Sequence, residues 1–345
     1  MKRIWTTLVC LALAASALPA AAHHSRANFD LDKKVEITGT VTRWQYRNPH
    51  GFLWLEVRNA TGESEEWAVE LGSIPNLKQM GLERDSISVG DTVTVIGNPD
   101  RDAANRYVFF NSMTTGDGHR YAFADVFAYS RNAKEAGKAQ PGSMDFSGKW
   151  DEEVSQQAVL LGEGLPDYPL TARGREVVGR YDPADEPWFR CESAGLPSLI
   201  GTPYAIEIAR EGDDYRIFFE FPGITRTIHM NVQAHPDELE PSVLGHSIGR
   251  IDGDVLIVDT RGFLPTPWGI GQGLDSSEQK HLVEQYRLLE DGHVLEITYT
   301  VTDPVFLTGP YSRTHLKRLV PDYELTPYEQ CDPEAAGMHL KLEGS

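Results

Sequence analysis

Three turn dipeptides in the C-terminal half constrain this chain more than anything else in it. Gly212-Asp213, Asp252-Gly253 and Asp291-Gly292 each separate two runs of alternating apolar and polar residues. Such pairs supply the positive φ of a two-residue hairpin, so each predicts two antiparallel strands. Counting outward from each turn gives a register. Ile208 faces Ile217 and Ile206 faces Phe219, while Leu288 faces Leu295 and Arg287 faces Glu296. About Asp252-Gly253, Ile251 faces Asp254 and His246 faces Asp259. Pro222-Gly223 adds a turn that sets Ile224, Arg226, Ile228 and Met230 on the side of Ile217 and Phe219. Strands joined this tightly make a closed antiparallel barrel or a sandwich.

The N-terminal half is also strand-rich. Val35, Ile37 and Val41 alternate along Lys34 to Trp44, and Gly51–Val57 and Glu66–Leu71 read as two more strands. Ser73 caps a short helix, with Pro75 in its first turn, and strands follow at Asp91–Gly97 and Arg106–Met113. Three strands, a helix and two strands is the order of an OB-type five-stranded barrel. Residues 123–143 read as a short helix and a linker closed by Pro141-Gly142.

At the start, Lys2 and Arg3 precede an apolar run from Ile4 to Leu18, and Ala20-Ala21-Ala22 follows. That is the pattern of a secretory signal peptide, residues 1–22, which leaves His23 as the new N-terminus and a periplasmic protein. Without Lys2 and Arg3, 30 basic residues stand against 51 acidic ones, a balance of −21. A field of that sign repels nucleic acid and anionic lipid. With the leader gone, the expectation is no membrane insertion and no nucleic-acid partner. Cys10 leaves with the leader, and Cys191 and Cys331 form an even pair in an oxidising compartment, so a disulfide is expected.

Phe146-Ser147-Gly148-Lys149-Trp150 resembles the Gly-x-Trp entry of lipocalins, which implies a lipocalin-like barrel. The whole chain resembles a family of uncharacterised secreted proteins from Gram-negative bacteria. The resemblance rests on Ala22-His23-His24-Ser25, Asn48-Pro49-His50 and Trp67-Ala68-Val69-Glu70-Leu71-Gly72. In the second half it rests on Gly245-His246-Ser247-Ile248-Gly249-Arg250 and Val258-Asp259-Thr260-Arg261-Gly262-Phe263. It implies kinship but transfers no activity.

The expected architecture is therefore mostly β. It comprises an OB-like domain over 23–122, the linker over 123–143, a lipocalin-like antiparallel β-barrel over 144–331 and a tail over 332–345. The leading function is binding of a small, largely apolar molecule inside the second barrel. Trp268, from the long loop Gly262–Gln279, and Tyr204, Tyr286 and Tyr299 are the candidate ligand contacts. If the barrel is an enzyme, the expected chemistry is cofactor-free acid–base work of a hydratase, dehydratase or isomerase. His246 would be the base, Asp259 its orienter, Glu284 a second acid or base and Arg226 an anchor for an oxygen. Arg226 and Glu284 both fall on inward-facing positions and need partners there. One alternative is a copper-binding protein that uses the mature amine, His23, His24 and His50, a nitrogen set that suits Cu²⁺. The other is a structural or partner-binding module. No Walker loop, HExxH or nucleophile elbow is present.

Overall fold

The computed structural model describes residues 29–126, 145–152, 165–182, 185–328 and 331–336. The expected leader, most of the linker and most of the tail lie outside these residues. Two closed β-barrels follow one another along the chain.

The first barrel is built from β1 (Val35–Gln45), β2 (Phe52–Arg58), β3 (Ser64–Glu70), β4 (Thr92–Pro99) and β5 (Tyr107–Thr115). Their order is β3-β2-β1-β4-β5, and a parallel β3–β5 pairing closes the ring. A short β6 (Arg120–Ala122) extends β5. Helix α1 (Ile74–Gln79) starts at Ser73, whose hydroxyl accepts from the Asn76 amide, and Pro75 occupies its first turn. This is the expected OB order, made legible by period-2 burial in β1 and by the capped helix between β3 and β4.

A five-stranded ring needs sharp bends. Gly97 lies where the β4–β5 register shifts, and a Cβ placed there would stand 2.6 Å from the Phe109 carbonyl oxygen. Only glycine permits that approach at the bulge. Gly97→Ala is expected to cost about 1–3 kcal/mol, the scale of an overpacking clash. Urea unfolding checks it, and an unchanged midpoint would contradict the bulge.

The second barrel has nine strands. They are β7 (Gly148–Glu152), β8 (Ile206–Glu211), β9 (Asp214–Phe219), β10 (Ile224–His229), β11 (His246–Asp252), β12 (Val255–Arg261), β13 (His281–Leu289), β14 (Val294–Thr302) and β15 (Tyr311–Leu319). The ring closes through the β15–β7 and β9–β10 pairings. All neighbours are antiparallel except β10 and β11, which pair in parallel. Between them residues 230–245 cross back to the starting end, so this is not a pure up-and-down meander. The crossover runs along the outer wall and brings one more histidine to it.

Alternation along each strand gives the wall two faces. Trp150, Ile206, Ile217, Phe219, Ile228, Leu256, Val258, Leu282, Tyr286, Ile297 and Tyr299 point inward and pack into one buried cluster. Two hairpins keep the expected register, with Ile206 opposite Phe219 and Leu288 opposite Leu295, and beyond Pro222-Gly223 the expected face is kept, with Ile224 opposite Phe219.

The third hairpin corrects the sequence reading. Asp252 pairs with Val255, so the turn is Gly253-Asp254 and not Asp252-Gly253. Gly253 has φ +64° and occupies the first central position, the pattern of a type II′ turn. The register moves by two residues, and His246 faces Arg261 while Ile248 faces Asp259.

Cys191 and Cys331 are joined by a disulfide across a sequence separation of 140. Cys331 also forms a parallel bridge to Asn48 of the first barrel, and Asp332 beside it pairs with Arg47. The Gln79 side chain donates to the Tyr323 hydroxyl at 2.8 Å. The segment after the last strand thus holds the barrels to each other.

Candidate functional site on the barrel wall

The four residues expected to share catalysis lie on opposite faces of the wall. Val258 pairs with Glu284 and Asp259 with Val283, so Glu284 points inward and Asp259 outward. Within the lumen, Arg226 Nη1 donates to Glu284 Oε2 at 2.9 Å and Nη2 donates to Oε1 at 3.1 Å. The Tyr286 hydroxyl donates to Glu284 Oε1 at 2.7 Å and accepts from Arg226 Nη2 at 3.1 Å. Arg226 is 4% exposed and Glu284 0%, so this ion pair is sealed among apolar neighbours. Both Glu284 oxygens are occupied, while the buried Arg226 Nε has no hydrogen-bond partner among the described residues.

The rest of the lumen is similarly committed. Lys317 Nζ donates to Glu152 Oε2 at 2.9 Å with both residues buried, and Tyr299 stacks on His315. Burial pushes the His315 imidazole down to about 3, aided by Lys317 and Arg313, so it stays neutral.

Outside the wall, four histidines form one cluster, two of them on the Asp259 carboxylate. Asp259 Oδ1 accepts from His235 Nε2 at 2.7 Å, and Oδ2 accepts from His281 Nε2 at 2.7 Å. His235 Nδ1 stands 2.9 Å from His246 Nδ1, and His246 stacks on His229 with ring centroids 5.2 Å apart. His229 Nδ1 meets Asp214 Oδ2 at 3.0 Å. Each histidine is positioned by a different element: β10, the crossover, β11 and β13.

The tautomers follow from what each group can do. Burial works against the Asp259 charge, but the hydrogen bonds from His235 and His281 outweigh it and hold the carboxyl below its usual range. An ionised carboxylate only accepts, so His235 and His281 carry hydrogen on Nε2. One hydrogen is then shared between the two facing Nδ1 atoms of His235 and His246. Burial, and then His235 and His229, push the His246 imidazole below its usual range. A carboxylate, an imidazole and a second imidazole in series make a chain that can pass a proton outward.

The turn count from Asp252-Gly253 sets His246 beside Asp259, whereas His235 stands between them. His235 lies in the crossover, where no strand period applies and no turn count reaches. The usable signal was crowding, since His229, His235, His246 and His281 fall within about fifty residues of an 11-histidine chain.

A groove of about 850 Å³ opens beside the cluster. Met230, Val232, Leu239, Ile248 and Ile257 give it apolar walls. His235, Asp259, Arg250 and Arg261 supply its polar groups. Two arginines in one groove stand out on a chain of net charge −19.

The other expected contacts scatter. Tyr286 and Tyr299 are in the lumen. Tyr204 lies outside it, stacked on Phe221 at 4.7 Å and edge-on to Tyr328 at 6.1 Å. Trp268 packs on Tyr181 at 5.5 Å, and its carbonyl accepts from Ser198 Oγ at 2.8 Å. Its loop is pinned from below by Lys280, whose Nζ donates to the carbonyls of Leu196 at 2.7 Å and Gly269 at 3.0 Å.

His23 and His24 lie outside the described residues. His50 Nδ1 is 2.9 Å from Glu70 Oε1, and the other Glu70 oxygen accepts from the Tyr107 hydroxyl. Among the described residues, no three or more His, Cys, Asp or Glu side chains are placed to hold a metal ion together.

A family of unknown function (DUF6152) matches residues 11–108, which contain most of the first barrel. No curated protein matches the chain. Among solved structures, the mitochondrial single-stranded DNA-binding protein Rim1 from S. cerevisiae aligns at 10% identity, covering 25% of this chain and 97% of that one, with a TM-score of 0.19. The wild-type fluorescent protein UnaG aligns at 11% identity, covering 50% of this chain and 96% of that one, with a TM-score of 0.26. Likenesses this slight carry no argument about ligands.

Proposed function

We propose that this is an exported protein whose second barrel binds a small, largely apolar molecule carrying an anionic end, in the groove on its outer wall. The observation that carries this reading is the groove's composition. Five apolar side chains give an extended ligand a surface, and Arg250 and Arg261, now facing Asp252 at 3.0 Å and Asp259 at 3.4 Å, would turn to its charged end. Sites of this kind join mostly apolar walls to a few placed polar groups. The lumen supports the reading less well, because its side chains already pack against one another. Export is supported by the leader pattern at residues 1–22 and by a disulfide, which persists in oxidising compartments.

A second reading, acid–base catalysis without a cofactor, is favoured by the chain from Asp259 through His235 to His246. A proton taken up at His246 Nε2 would release the Nδ1 hydrogen toward His235, whose charge Asp259 then stabilises, and of these two imidazoles it is His235 that lines the groove. Arg226 and Glu284 have no part in it.

Anilinonaphthalene sulfonate, an apolar dye with one anionic group, tests the binding reading. The dye is expected to bind with enhanced fluorescence. Arg261→Ala should weaken it about tenfold, the scale of one lost charge-assisted contact. Val232→Asp, at a position already 38% exposed, should weaken it through repulsion, whereas Tyr299→Phe in the lumen should not. Loss on Tyr299→Phe with no effect of Val232→Asp would return the ligand to the lumen.

A further inference from the structure

We propose that His235 and His246, backed by Asp259 and flanked by His229, bind one divalent transition-metal ion of the group that favours imidazole, such as zinc, copper or nickel. The proposal stands apart from the small-molecule reading, since metal binding is read without any organic ligand.

The first argument is the distance between the facing nitrogens. His235 Nδ1 and His246 Nδ1 are 2.9 Å apart, and two lone pairs cannot face each other so closely unless a proton lies between them. A metal ion can take the place of that proton. Two nitrogens on one tetrahedral zinc lie about 3.3 Å apart, given Zn–N bonds of ~2.0–2.1 Å. The pair needs to widen by a few tenths of an ångström, and both rings must turn until their lone pairs meet at the ion and not at each other.

The second argument is what holds the rings. A ligating histidine commonly gives its other ring hydrogen to a carboxylate, which fixes the tautomer and turns the free lone pair toward the ion. His235 meets that requirement through Nε2 and Asp259, and His229 through Nδ1 and Asp214. In His235 the other nitrogen is the Nδ1 that faces His246, and the His229 ring lies stacked on His246 beside the pair. His281 braces the second Asp259 oxygen, so the carboxylate that orients His235 is itself fixed.

The third argument concerns coordination. Two imidazole ligands leave an ion with open positions, and His235 also lines the groove. Open positions are a feature of exchangeable or substrate-facing sites, whereas structural zinc sites are closed. The imidazole set, with no thiolate, favours the later metals of the first row over magnesium or calcium.

Zinc titration of the processed chain by calorimetry tests the assignment. One ion per chain is expected in this site. His246→Ala and His235→Ala should each weaken it at least tenfold, and Asp259→Asn should weaken it about tenfold to a hundredfold, as loss of an outer-shell carboxylate does. A His23→Ala/His24→Ala variant should keep the site, which separates it from any chelate at the mature N-terminus. Thermal melts without metal establish that each variant folds. Should one fail to fold, zinc-induced shifts of the His235 and His246 ring nitrogens in the unmodified protein decide the question instead. Zinc affinity unchanged in a folded His235→Ala/His246→Ala variant would overturn the proposal. So would affinity lost only with His23 and His24, or no zinc binding at all.

Discussion

Glu284→Ala is expected to lower the unfolding free energy by about 3–5 kcal/mol, the cost of leaving one partner of a buried ion pair uncompensated. Arg226 would keep its charge at 4% exposure with its bidentate acceptor gone, and the Tyr286 hydroxyl would lose its acceptor too. Glu284→Gln should cost less, because the amide keeps the shape and one oxygen. Replacing the whole set as Arg226→Met, Glu284→Leu and Tyr286→Phe should return stability to within about 1–2 kcal/mol of the parent, since apolar isosteres often equal a buried pair. Urea unfolding measures all three variants. A loss under about 1 kcal/mol for Glu284→Ala would mean that water reaches the pair and that the lumen is open.

Removing the disulfide by Cys191→Ser with Cys331→Ser is expected to have an effect of similar size. The sequence separation of 140 corresponds to about 5 kcal/mol on the chain-entropy model. The loss should also reach the contact between barrels. Cys331 and Asp332 carry the bridge to Asn48 and the pair with Arg47, and the disulfide is what tethers that segment to the helical turn Pro187–Arg190. Limited proteolysis should therefore cut after residue 320 faster in the double variant than in the parent. An unchanged denaturation midpoint together with an unchanged cleavage pattern would contradict the role given to the bridge.

Much of the architecture was legible because short-range rules govern it. Gly212-Asp213 and Asp291-Gly292 set their hairpins, and the period of two then carried the register outward to Ile206 and Glu296. Ser73 and Pro75 marked α1 by local chemistry alone. The one hairpin that went astray did so by a single turn position. Asp-Gly fits a type I′ turn, whereas Gly253 here leads a type II′ turn, and both place glycine at positive φ.

That small slip mattered for the site, because it moved His246 away from Asp259. The residue that reconnects them, His235, arrives on a long crossover whose path depends on tertiary packing. The division between Glu284 inside and Asp259 outside was half legible. Alternation put Glu284 inward, but the β11–β12 hairpin carries isoleucine, leucine or valine on both faces and so does not mark its own inner side. Whether the lumen is filled depends on how Trp150, Phe219, Tyr286 and Tyr299 meet across the ring, which no linear pattern encodes.

The central claim is that recognition takes place on the outer wall beside the histidine cluster. A crystal structure of the complex with anilinonaphthalene sulfonate tests it most directly. The naphthalene ring is expected against Ile248, Ile257 and Leu239, with the sulfonate toward Arg250 or Arg261. Dye between Leu282, Leu295 and Tyr299, with the Arg226–Glu284 pair opened, would contradict it.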